Sequence, residues 1–189
     1  MLELTTPRLV LRPLRESDIP AFVAYRRDPE VARFQGWEPT YSQAEAEQLV
    51  AAQPPEPGRP DKWLQIAVVG RETGALCGDC AVRVVSDQPE TAEIGVTLAR
   101  EHQGRGIAGE AIGAVLDWLF GELSLHRVFA QTDDRNVAVH RVLEHAGFRL
   151  EARLVDADWC KGEWTTVRIF ARLANEAHTK RGPSDRLPR

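Results

Sequence analysis

Apolar and polar residues alternate with a period of two at the start of the chain, in Arg8-Leu9-Val10-Leu11-Arg12-Pro13-Leu14. This alternation is typical of a half-buried strand. Two side chains then indicate where helices begin: Asp18 is placed to be an N-cap, and Ser42 with Glu45 has the spacing of a capping box. The predicted helices cover residues 18–27, a short piece through Phe34, and residues 42–53.

Three strand-like runs follow, at residues 63–69, 75–85 and 91–98, and short polar turns separate them. Short turns favour an antiparallel meander. The rest of the pattern predicts a helix over 104–123, a strand over 126–131, a helix over 136–145 and a hairpin of strands 148–155 and 164–173. The order β-α-α-α-β-β-β-α-β-α-β-β indicates an α+β protein.

The composition fits one folded domain. Of 189 residues, 43% are hydrophobic and 28% are charged, which is enough apolar side chain for a core. We expect a single folded domain over residues 1–173 and a flexible, charged C-terminal tail over residues 174–189. There is no apolar run of about 20 residues and no secretory leader, so we expect no membrane partner and a cytoplasmic location.

The net charge and the cysteine spacing bear on two further classes of ligand, nucleic acids and metal ions. The 24 Lys and Arg residues against 28 Asp and Glu residues give a net charge of −4. Binding to nucleic acid requires clustered positive charge, so no nucleic-acid partner is expected. Cys77 and Cys80 have C-x-x-C spacing, but no second pair or histidine cluster completes a zinc site, so no metal is expected.

The segment Gln103-Gly104-Arg105-Gly106-Ile107-Ala108-Gly109 follows a predicted strand and opens the long helix. Glycines allow a ligand to approach the backbone closely, and the N–H groups of a first helical turn have no partners within the helix. The positive end of the helix dipole adds to the attraction for anions. The segment therefore predicts a pyrophosphate site.

The same glycines also match the G-x-G-x-x-G pattern of dinucleotide-binding proteins, with Asp133 as the residue for the ribose hydroxyl. This alternative predicts an NAD-dependent oxidoreductase. Three features argue against it: five residues separate Leu98 from Gly104, the preceding strands form a meander, and too little chain follows Asp133 for a doubly wound sheet.

Four motifs in order are similar to the GNAT superfamily of N-acetyltransferases. Gln103-x-x-Gly106-x-Ala108 resembles its Q/R-x-x-G-x-G/A signature. Ala92-Glu93-Ile94-Gly95, Asn136, and Glu144-His145-Ala146-Gly147-Phe148 resemble the RimJ/RimL-type branch, which includes enzymes that acetylate N-termini of ribosomal proteins and relatives that act on small amines. The resemblance implies a mostly antiparallel twisted sheet, helices on both faces and a splayed central strand pair.

The resemblance also implies that acetyl-CoA is the co-substrate and lies in the opening between the splayed strands. Strand residues 96–98 would pair with pantetheine, and residues 104–109 would hold the pyrophosphate with Arg105 nearby. Asn136 would touch the pantetheine arm or the cofactor at the start of the next helix. The residues expected to bind the cofactor are Val96, Thr97, Leu98, Gln103, Gly104, Arg105, Gly106, Ile107, Ala108, Gly109 and Asn136.

Acetyl transfer to an amine benefits from a base that removes the amine proton and an acid that protonates the departing thiolate. Our candidates for the catalytic carboxylate are Glu93, by strand parity, and Asp133 and Asp134, at the end of a strand. An exposed strand carboxylate and helix capping are the alternative interpretations of these residues. The positions where relatives carry a base or an acid are apolar or amide here: Gln131, Val139 and Leu143.

The sequence thus predicts transfer of an acetyl group to a primary amine, in a small molecule or at a protein N-terminus, by direct attack. A catalytically silent acyl-CoA-binding module is the other hypothesis, which the missing acid and base motivate. We expect the segment 18–53 and the loop 160–164 to wall the acceptor site, and a homodimer is a further expectation from the resemblance.

Overall fold

The computed structural model describes residues 2–54 and 58–177. The described strands form one sheet in the order β1-β2-β3-β4-β5-β6-β8-β7. They are β1 (Leu4–Thr5), β2 (Leu9–Pro13), β3 (Leu64–Gly70), β4 (Leu76–Val84), β5 (Thr91–Leu98), β6 (Arg127–Asp133), β7 (Arg149–Cys160) and β8 (Glu163–Leu173). The α-helices are α1 (Ile19–Arg26), α2 (Pro29–Ala32), α3 (Gln43–Ala51), α4 (Ile107–Gly121) and α5 (Val137–His145). The predicted α+β class is confirmed.

Helices cover both faces of the sheet. Along β3, Ile66 and Val68 join the core that contains the apolar faces of α4 and α5. Ala67 and Val69 point the other way, into a second core with residues of α1 to α3. Because side chains alternate along a strand, a strand that is buried on both faces needs apolar residues at every position. This requirement explains the uninterrupted apolar run from Ile66 to Val69 in β3. The strand also contains one buried polar residue, Gln65.

The predicted capping box is confirmed, and Asp18 is the N-cap residue of α1 as predicted, but its side chain makes no capping hydrogen bond. Ser42 Oγ accepts a hydrogen bond from the Glu45 N–H, and a Glu45 oxygen accepts one from the Ser42 N–H. Asp18 instead accepts hydrogen bonds from Arg12 Nη1 and Nη2, at 2.7 and 2.9 Å, and from the Arg15 N–H. A guanidinium on the adjacent strand competes better for this carboxylate than an N–H of α1 does.

The C-terminal hairpin extends further than its pattern predicts. β7 continues to Cys160 rather than ending at residue 155, and its register with β8 shifts between Leu154 and Asp158. Nearly every residue of β7 is exposed, so no alternation of apolar and polar residues marks its full length. The two-residue β1 was also missed, because such a short strand shows no periodicity.

The central strands β5 and β6 separate after a short parallel contact. Their pairing covers three residues of each strand, Thr91–Glu93 opposite Arg127–Phe129. Beyond that point β5 continues to pair with β4, and β6 continues to pair with β8. A wedge-shaped gap therefore opens beside the second half of β5, and the expected splayed strand pair is confirmed.

The chain beyond β8 is described only in part. Residues Ala174–Ala177, at the start of the predicted tail, form a 3-10 turn in which a Glu176 carboxylate oxygen accepts from the Leu173 N–H. The rest of the predicted tail lies outside the described residues. Among the helices of residues 2–54 and 58–177, none has the length and apolar content needed to cross a membrane.

Candidate functional site

Three adjacent cavities lie along the gap between β5 and β6. The first, which we call the glycine-loop cavity, has a volume of about 250 Å³. Its lining comprises Val31, Gln35, Val96, Thr97, Leu98, Gln103, Gly104, Gly106, Ile107, Ala108, Gly109, Asn136, Ala138, Val139 and Val142. All the residues predicted to bind the cofactor are in this set except Arg105, which is exposed beside it. The structure therefore brings the two predicted cofactor segments and Asn136 together.

The start of α4 presents unused hydrogen-bond donors. The first helical bond runs from the Glu110 N–H to the Gly106 oxygen, at 3.1 Å. Within the described residues, the N–H groups of residues 104–109 have no hydrogen-bond partner. Gly104 and Gly106 have φ angles of +70° and +77°, a region that suits glycine. Free N–H groups at the positive end of a helix form a site for a phosphate group.

Side chains hold the glycine loop from both ends. Gln103 Nε2 donates to the Leu98 oxygen at 3.0 Å, which ties the loop to the end of β5. Arg8 Nη1 donates to the Arg105 oxygen at 2.9 Å, and Arg8 also pairs with Glu110 in the first turn of α4. The Arg8–Glu110 pair was not predicted, because nothing local in the sequence links these two positions.

The second cavity, the junction cavity, lies where the strands separate and has a volume of about 80 Å³. Its lining comprises Phe34, Gln35, Ile94, Gly95, Val96, Ile112, Ala130, Gln131, Thr132, Asp133, Asn136, Val139 and Leu143. It shares four residues with the glycine-loop cavity: Gln35, Val96, Asn136 and Val139. The junction cavity therefore continues the glycine-loop cavity into the gap.

The third cavity, the hairpin cavity, has a volume of about 300 Å³. It is bordered by Arg33, Phe34, Gln35, Gly36, Gln131, Thr132, Asp133, Arg135, Leu154, Ala157, Asp158, Cys160, Lys161, Glu163, Thr165 and Val167. The segment after α2 and the hairpin tip are its walls, and Lys161 Nζ donates to the Ala32 oxygen at 2.7 Å between them. These walls lie in the two segments that the sequence predicts for the acceptor side.

Gln35 is in the lining of all three cavities, and Phe34 is in the lining of two of them. Sequence reasoning missed both residues. They lie in an irregular segment after α2, where neither periodicity nor a motif distinguishes them. Their neighbour Trp37 supports the segment, since its indole Nε1 donates to the Arg26 oxygen and its ring stacks under the Arg26 guanidinium at 3.8 Å.

The three predicted carboxylates occupy different surroundings. Glu93 forms an ion pair with Arg83, its cross-strand partner on β4, at 2.5 Å, and it is outside the lining of the three cavities. Asp134 accepts from Arg153 and Arg168 and also lies outside that lining. Hydrogen bonds from these guanidinium groups hold the pKa of Asp134 below its ordinary value. The catalytic roles of Glu93 and Asp134 stay predictions.

Asp133 is the predicted carboxylate that lines both the junction and the hairpin cavities. Arg135 donates to both of its oxygens, at 2.9 and 2.7 Å, and these bonds lower the pKa of Asp133. The alternative in which Asp133 or Asp134 caps α5 is wrong. The cap is Asn136, whose side-chain oxygen accepts from the Val139 N–H.

The three positions at which relatives carry a catalytic acid or base line the junction cavity in this protein. Val139 and Leu143 line the junction cavity from α5, and Gln131 lines it from β6. None of these three side chains titrates, so none transfers a proton to or from a ligand there. Among the described residues, no group of three His, Cys, Asp or Glu side chains is arranged to hold a metal ion.

Comparison with known proteins decides the family. The acetyltransferase (GNAT) domain family matches residues 8–149, which is most of the chain. The chain belongs to the GNAT acetyltransferase family. The matched part of this GNAT acetyltransferase includes the glycine loop, the gap and Asn136. The oxidoreductase alternative is therefore wrong, in agreement with a sheet whose only parallel pair, among the described strands, is β5 with β6.

Individual relatives cover nearly the whole of this GNAT acetyltransferase. It is 28% identical over 173 residues to the uncharacterized N-acetyltransferase p20 of Bacillus licheniformis, covering 92% of this chain and 97% of p20. A GNAT-family acetyltransferase structure from Bacillus anthracis has a TM-score of 0.82 at 23% identity, covering 92% and 99% of the two chains. Spermidine N-acetyltransferase from Vibrio cholerae, solved with CoA and spermine, has a TM-score of 0.78 at 23% identity, covering 90% and 98%.

Proposed function

We propose that this GNAT acetyltransferase binds acetyl-CoA in the glycine-loop cavity and transfers the acetyl group to a primary amine in the hairpin cavity. The observation that carries the proposal is the junction cavity, which shares lining residues with the other two and lies in the gap of the sheet. A thioester in the junction cavity is accessible to a cofactor from one side and to an amine from the other.

The cofactor role rests on two sets of backbone groups. The unpaired N–H groups of residues 104–109 suit a pyrophosphate, since several donors converge there at the positive end of α4. Among the described strands, none pairs with the edge of β5 beyond Glu93 on the side of β6. An extended pantetheine arm supplies the hydrogen-bonding groups that a neighbouring strand would supply.

Direct attack is favoured over an acyl-enzyme intermediate. Cys160 lines the hairpin cavity, but among the described residues no basic side chain hydrogen-bonds to its thiol. An efficient nucleophile needs such a partner or a lowered pKa. Cys77 and Cys80 are buried away from the cavities, and burial raises the pKa of both thiols. The amine therefore attacks the thioester itself, and a fixed N–H of β5 stabilises the charge on the carbonyl oxygen.

Asp133 is our choice among the three carboxylates for contact with the acceptor. It lines both the junction cavity and the hairpin cavity, so it faces an amine that approaches the thioester. Because its pKa is lowered, it stays ionised at neutral pH and attracts the ammonium form. The same low pKa makes it a weak base, so the amine proton passes to water.

The acceptor is a primary amine in a small molecule or at a protein N-terminus. The RimJ/RimL-type motifs are compatible with both classes of amine, and the related spermidine N-acetyltransferase of Vibrio cholerae, by its name, acts on a small amine. The hairpin cavity, with about 300 Å³, has space for a small amine or for the first residue of a peptide. A cytoplasmic location and a homodimer stay predictions.

Two measurements test the proposal. Titration calorimetry with acetyl-CoA is expected to show binding at micromolar to millimolar concentration, the range typical of enzyme substrates. A thiol-release assay with a panel of amino acids, polyamines and peptides is expected to show release of CoA that depends on the amine. Failure to bind acetyl-CoA would remove the proposed activity altogether.

A silent acyl-CoA-binding module is the second candidate. Gln131, Val139 and Leu143 favour it, because they put no titrating side chain at three positions around the junction cavity. This candidate predicts that acetyl-CoA binds and that no amine in the panel raises the rate of CoA release above hydrolysis. The same two measurements therefore distinguish an enzyme from a binding module.

A further inference from the structure

A buried histidine lies directly behind the wall of the junction cavity. His140, on α5, is 4% exposed, and its ring packs on Phe170 of β8 with 5.2 Å between the ring centroids. Its Nε2 is 3.1 Å from two oxygens, the side-chain hydroxyl of Thr132 and the main-chain carbonyl of Asp133. Neither the cofactor site nor the acceptor contacts described above use this histidine.

The carbonyl contact determines which ring nitrogen carries the hydrogen. Burial, followed by the nearby Arg168 guanidinium, lowers the pKa of His140, while Asp134 and Glu144 act in the opposite direction. The ring is therefore neutral at pH 7 and has one N–H group. A carbonyl oxygen only accepts hydrogen bonds, so the hydrogen is on Nε2, which donates to both the Asp133 carbonyl and the Thr132 hydroxyl oxygen.

This arrangement orients the hydroxyl of Thr132. Since its oxygen accepts from His140, its own hydrogen points to another acceptor. Among the described residues, no second side-chain or backbone group hydrogen-bonds to this hydroxyl. Thr132 lines both the junction and the hairpin cavities, so its free hydrogen is available to a ligand in the gap.

We propose that the Thr132 hydroxyl donates a hydrogen bond to the sulfur of acetyl-CoA as that sulfur leaves, and that His140 is the positioning residue for this hydroxyl. The inference rests on the proposed acetyl transfer and deepens it. It gives a polar partner to the leaving group in a cavity where Val139 and Leu143 supply none.

The bonds and charges of this step balance. The amine nitrogen forms the new C–N bond and loses a proton to water, the C–S bond breaks, and its electron pair goes to sulfur. Thr132 keeps its proton and stabilises the developing thiolate by hydrogen bonding. The free CoA thiolate then takes a proton from water. Neither Thr132 nor His140 changes its protonation state during turnover.

The hydroxyl is tested by the nearly isosteric variant Thr132→Val. We expect the single-turnover rate of acetyl transfer to fall about 100-fold, as for removal of one preorganised donor to a developing charge. The dissociation constant of acetyl-CoA is expected to stay within about twofold, because the bond strengthens only in the transition state. Thr132→Ser, which retains a hydroxyl, is expected to recover most of the rate.

The matched control is Thr91→Val. Thr91, on the neighbouring strand, is 4% exposed and so more buried than the half-buried Thr132. It lies at the start of β5 outside the three cavities, and its hydroxyl donates to the Pro89 oxygen. This variant is expected to transfer acetyl groups at the rate of the unmodified protein. An equal loss in Thr91→Val and Thr132→Val would mean that any buried hydroxyl matters for folding, and would overturn the proposal.

His140 is tested by its coupling to Thr132. His140→Phe keeps an aromatic ring against Phe170 but removes the N–H, so we expect a loss of rate similar to that of Thr132→Val. The double variant is expected to be no slower than either single variant, because both changes remove the same oriented hydroxyl. His140→Gln, which retains a donor, is expected to recover part of the rate. Fully multiplicative losses in the double variant would show that His140 acts only on the packing of α5.

The outcomes separate this inference from the proposed function. If the unmodified protein binds acetyl-CoA and no amine is acetylated, the proposed function fails and the variants have no rate to compare. If the unmodified protein acetylates an amine and Thr132→Val is equally fast, the enzyme stands and the assignment of Thr132 and His140 is overturned.

Discussion

Arg8 and Glu110 form an ion pair across 102 positions of the chain, with Arg8 Nε 2.5 Å from Glu110 Oε2. Glu110 lies in the first turn of α4, where a carboxylate interacts favourably with the helix dipole. The same guanidinium donates to the Arg105 oxygen. Arg8, which directly precedes β2, therefore contacts both the glycine loop and α4. Through these contacts, Arg8 holds the glycine loop in place.

Replacement of Arg8 by methionine is expected to weaken acetyl-CoA binding about tenfold, which corresponds to ~1.4 kcal/mol. Without the hydrogen bond from Arg8 to the Arg105 oxygen, the glycine loop must be ordered when the cofactor binds. The melting temperature is expected to change little, because the guanidinium is half exposed and exposed ion pairs contribute little to stability. Titration calorimetry measures the affinity. Arg71→Met, at an exposed arginine in the turn after β3, is the control, and equal weakening in both variants would contradict the role of Arg8.

Gly106, the N-cap residue of α4, has a left-handed backbone with a φ angle of +77°. Gly106→Ala is expected to cost about 1–2 kcal/mol of stability and to weaken acetyl-CoA binding, since the strained loop displaces the free N–H groups. Gly74→Ala is a matched control. Gly74 has a φ angle of +66° and open space around it, and it lies in a turn outside the cavities. Both variants should melt earlier in a thermal scan, but only Gly106→Ala should lose affinity.

Gly78 lies opposite Leu98 and leaves no space for a side chain. A Cβ at this position would be 2.1 Å from the Thr97 oxygen and 2.8 Å from the Leu98 Cα, so the β5 backbone has to move. Gly78→Ala is therefore expected to destabilise the fold by about 1–3 kcal/mol and to impair acetyl-CoA binding along β5. Denaturant unfolding and calorimetry measure the two effects.

The contrasting variant is Gly113→Ala. Gly113 is inside α4, and a Cβ there would meet nothing within 4 Å. Alanine has the higher helix propensity, so stability is expected to rise by about 0.5–1 kcal/mol with unchanged affinity. Unfolding at the same denaturant concentration for Gly78→Ala and the unmodified protein would contradict the close contact.

Asp18 makes the stability of the protein depend on pH. Burial alone would raise the pKa of this carboxyl, but the hydrogen bonds from Arg12 and Arg15 outweigh burial and hold it below the ordinary value. A lowered pKa in the folded state stabilises the fold above the unfolded-state pKa of about 3.9, and this contribution is lost as the pH falls through the folded-state value.

Asp18→Asn is accordingly expected to cost about 1.5–3 kcal/mol at pH 7, as for the loss of hydrogen bonds to a charged group. The difference in unfolding free energy between the two proteins should shrink as the pH falls below about 4. Urea unfolding at a series of pH values measures it. A difference that stays constant from pH 7 to pH 3 would show that charge on Asp18 does not contribute.

Asp133→Asn tests the proposed contact with the acceptor amine. The KM for the amine is expected to rise about tenfold, equivalent to ~1.4 kcal/mol, with a smaller change in kcat, because the charge attracts the amine before reaction. Asp156→Asn, at an exposed residue of β7 outside the cavities with a φ angle that asparagine tolerates, is the control. Loss of kcat with an unchanged KM would instead make Asp133 the base. The variant Glu93→Gln, assayed in the same way, tests the catalytic role predicted for Glu93.

Much of the site could be predicted because its chemistry is local. The glycine loop follows from a run of small residues before an amphipathic helix, whereas the expectation for Asn136 rests on the resemblance to the GNAT superfamily. Thr132 and His140 could not be predicted, since only the packing of α5 against β6 brings them within 3.1 Å. Phe34 and Gln35 carry no pattern at all and line the cavities only because α2 ends beside the gap.

The chain by itself determined which segments become strands and helices, because the period of apolar positions depends on neighbours a few residues apart. It also determined the glycine loop, because the N–H groups of a first helical turn have no partners within the helix. The tertiary structure decided which carboxylate faces a cavity. Glu93 forms an ion pair with Arg83 on the adjacent strand, whereas Asp133 lines the junction cavity. Contacts between distant segments depend on the register and the separation of the strands. The periodic pattern of apolar residues within one segment specifies neither of them.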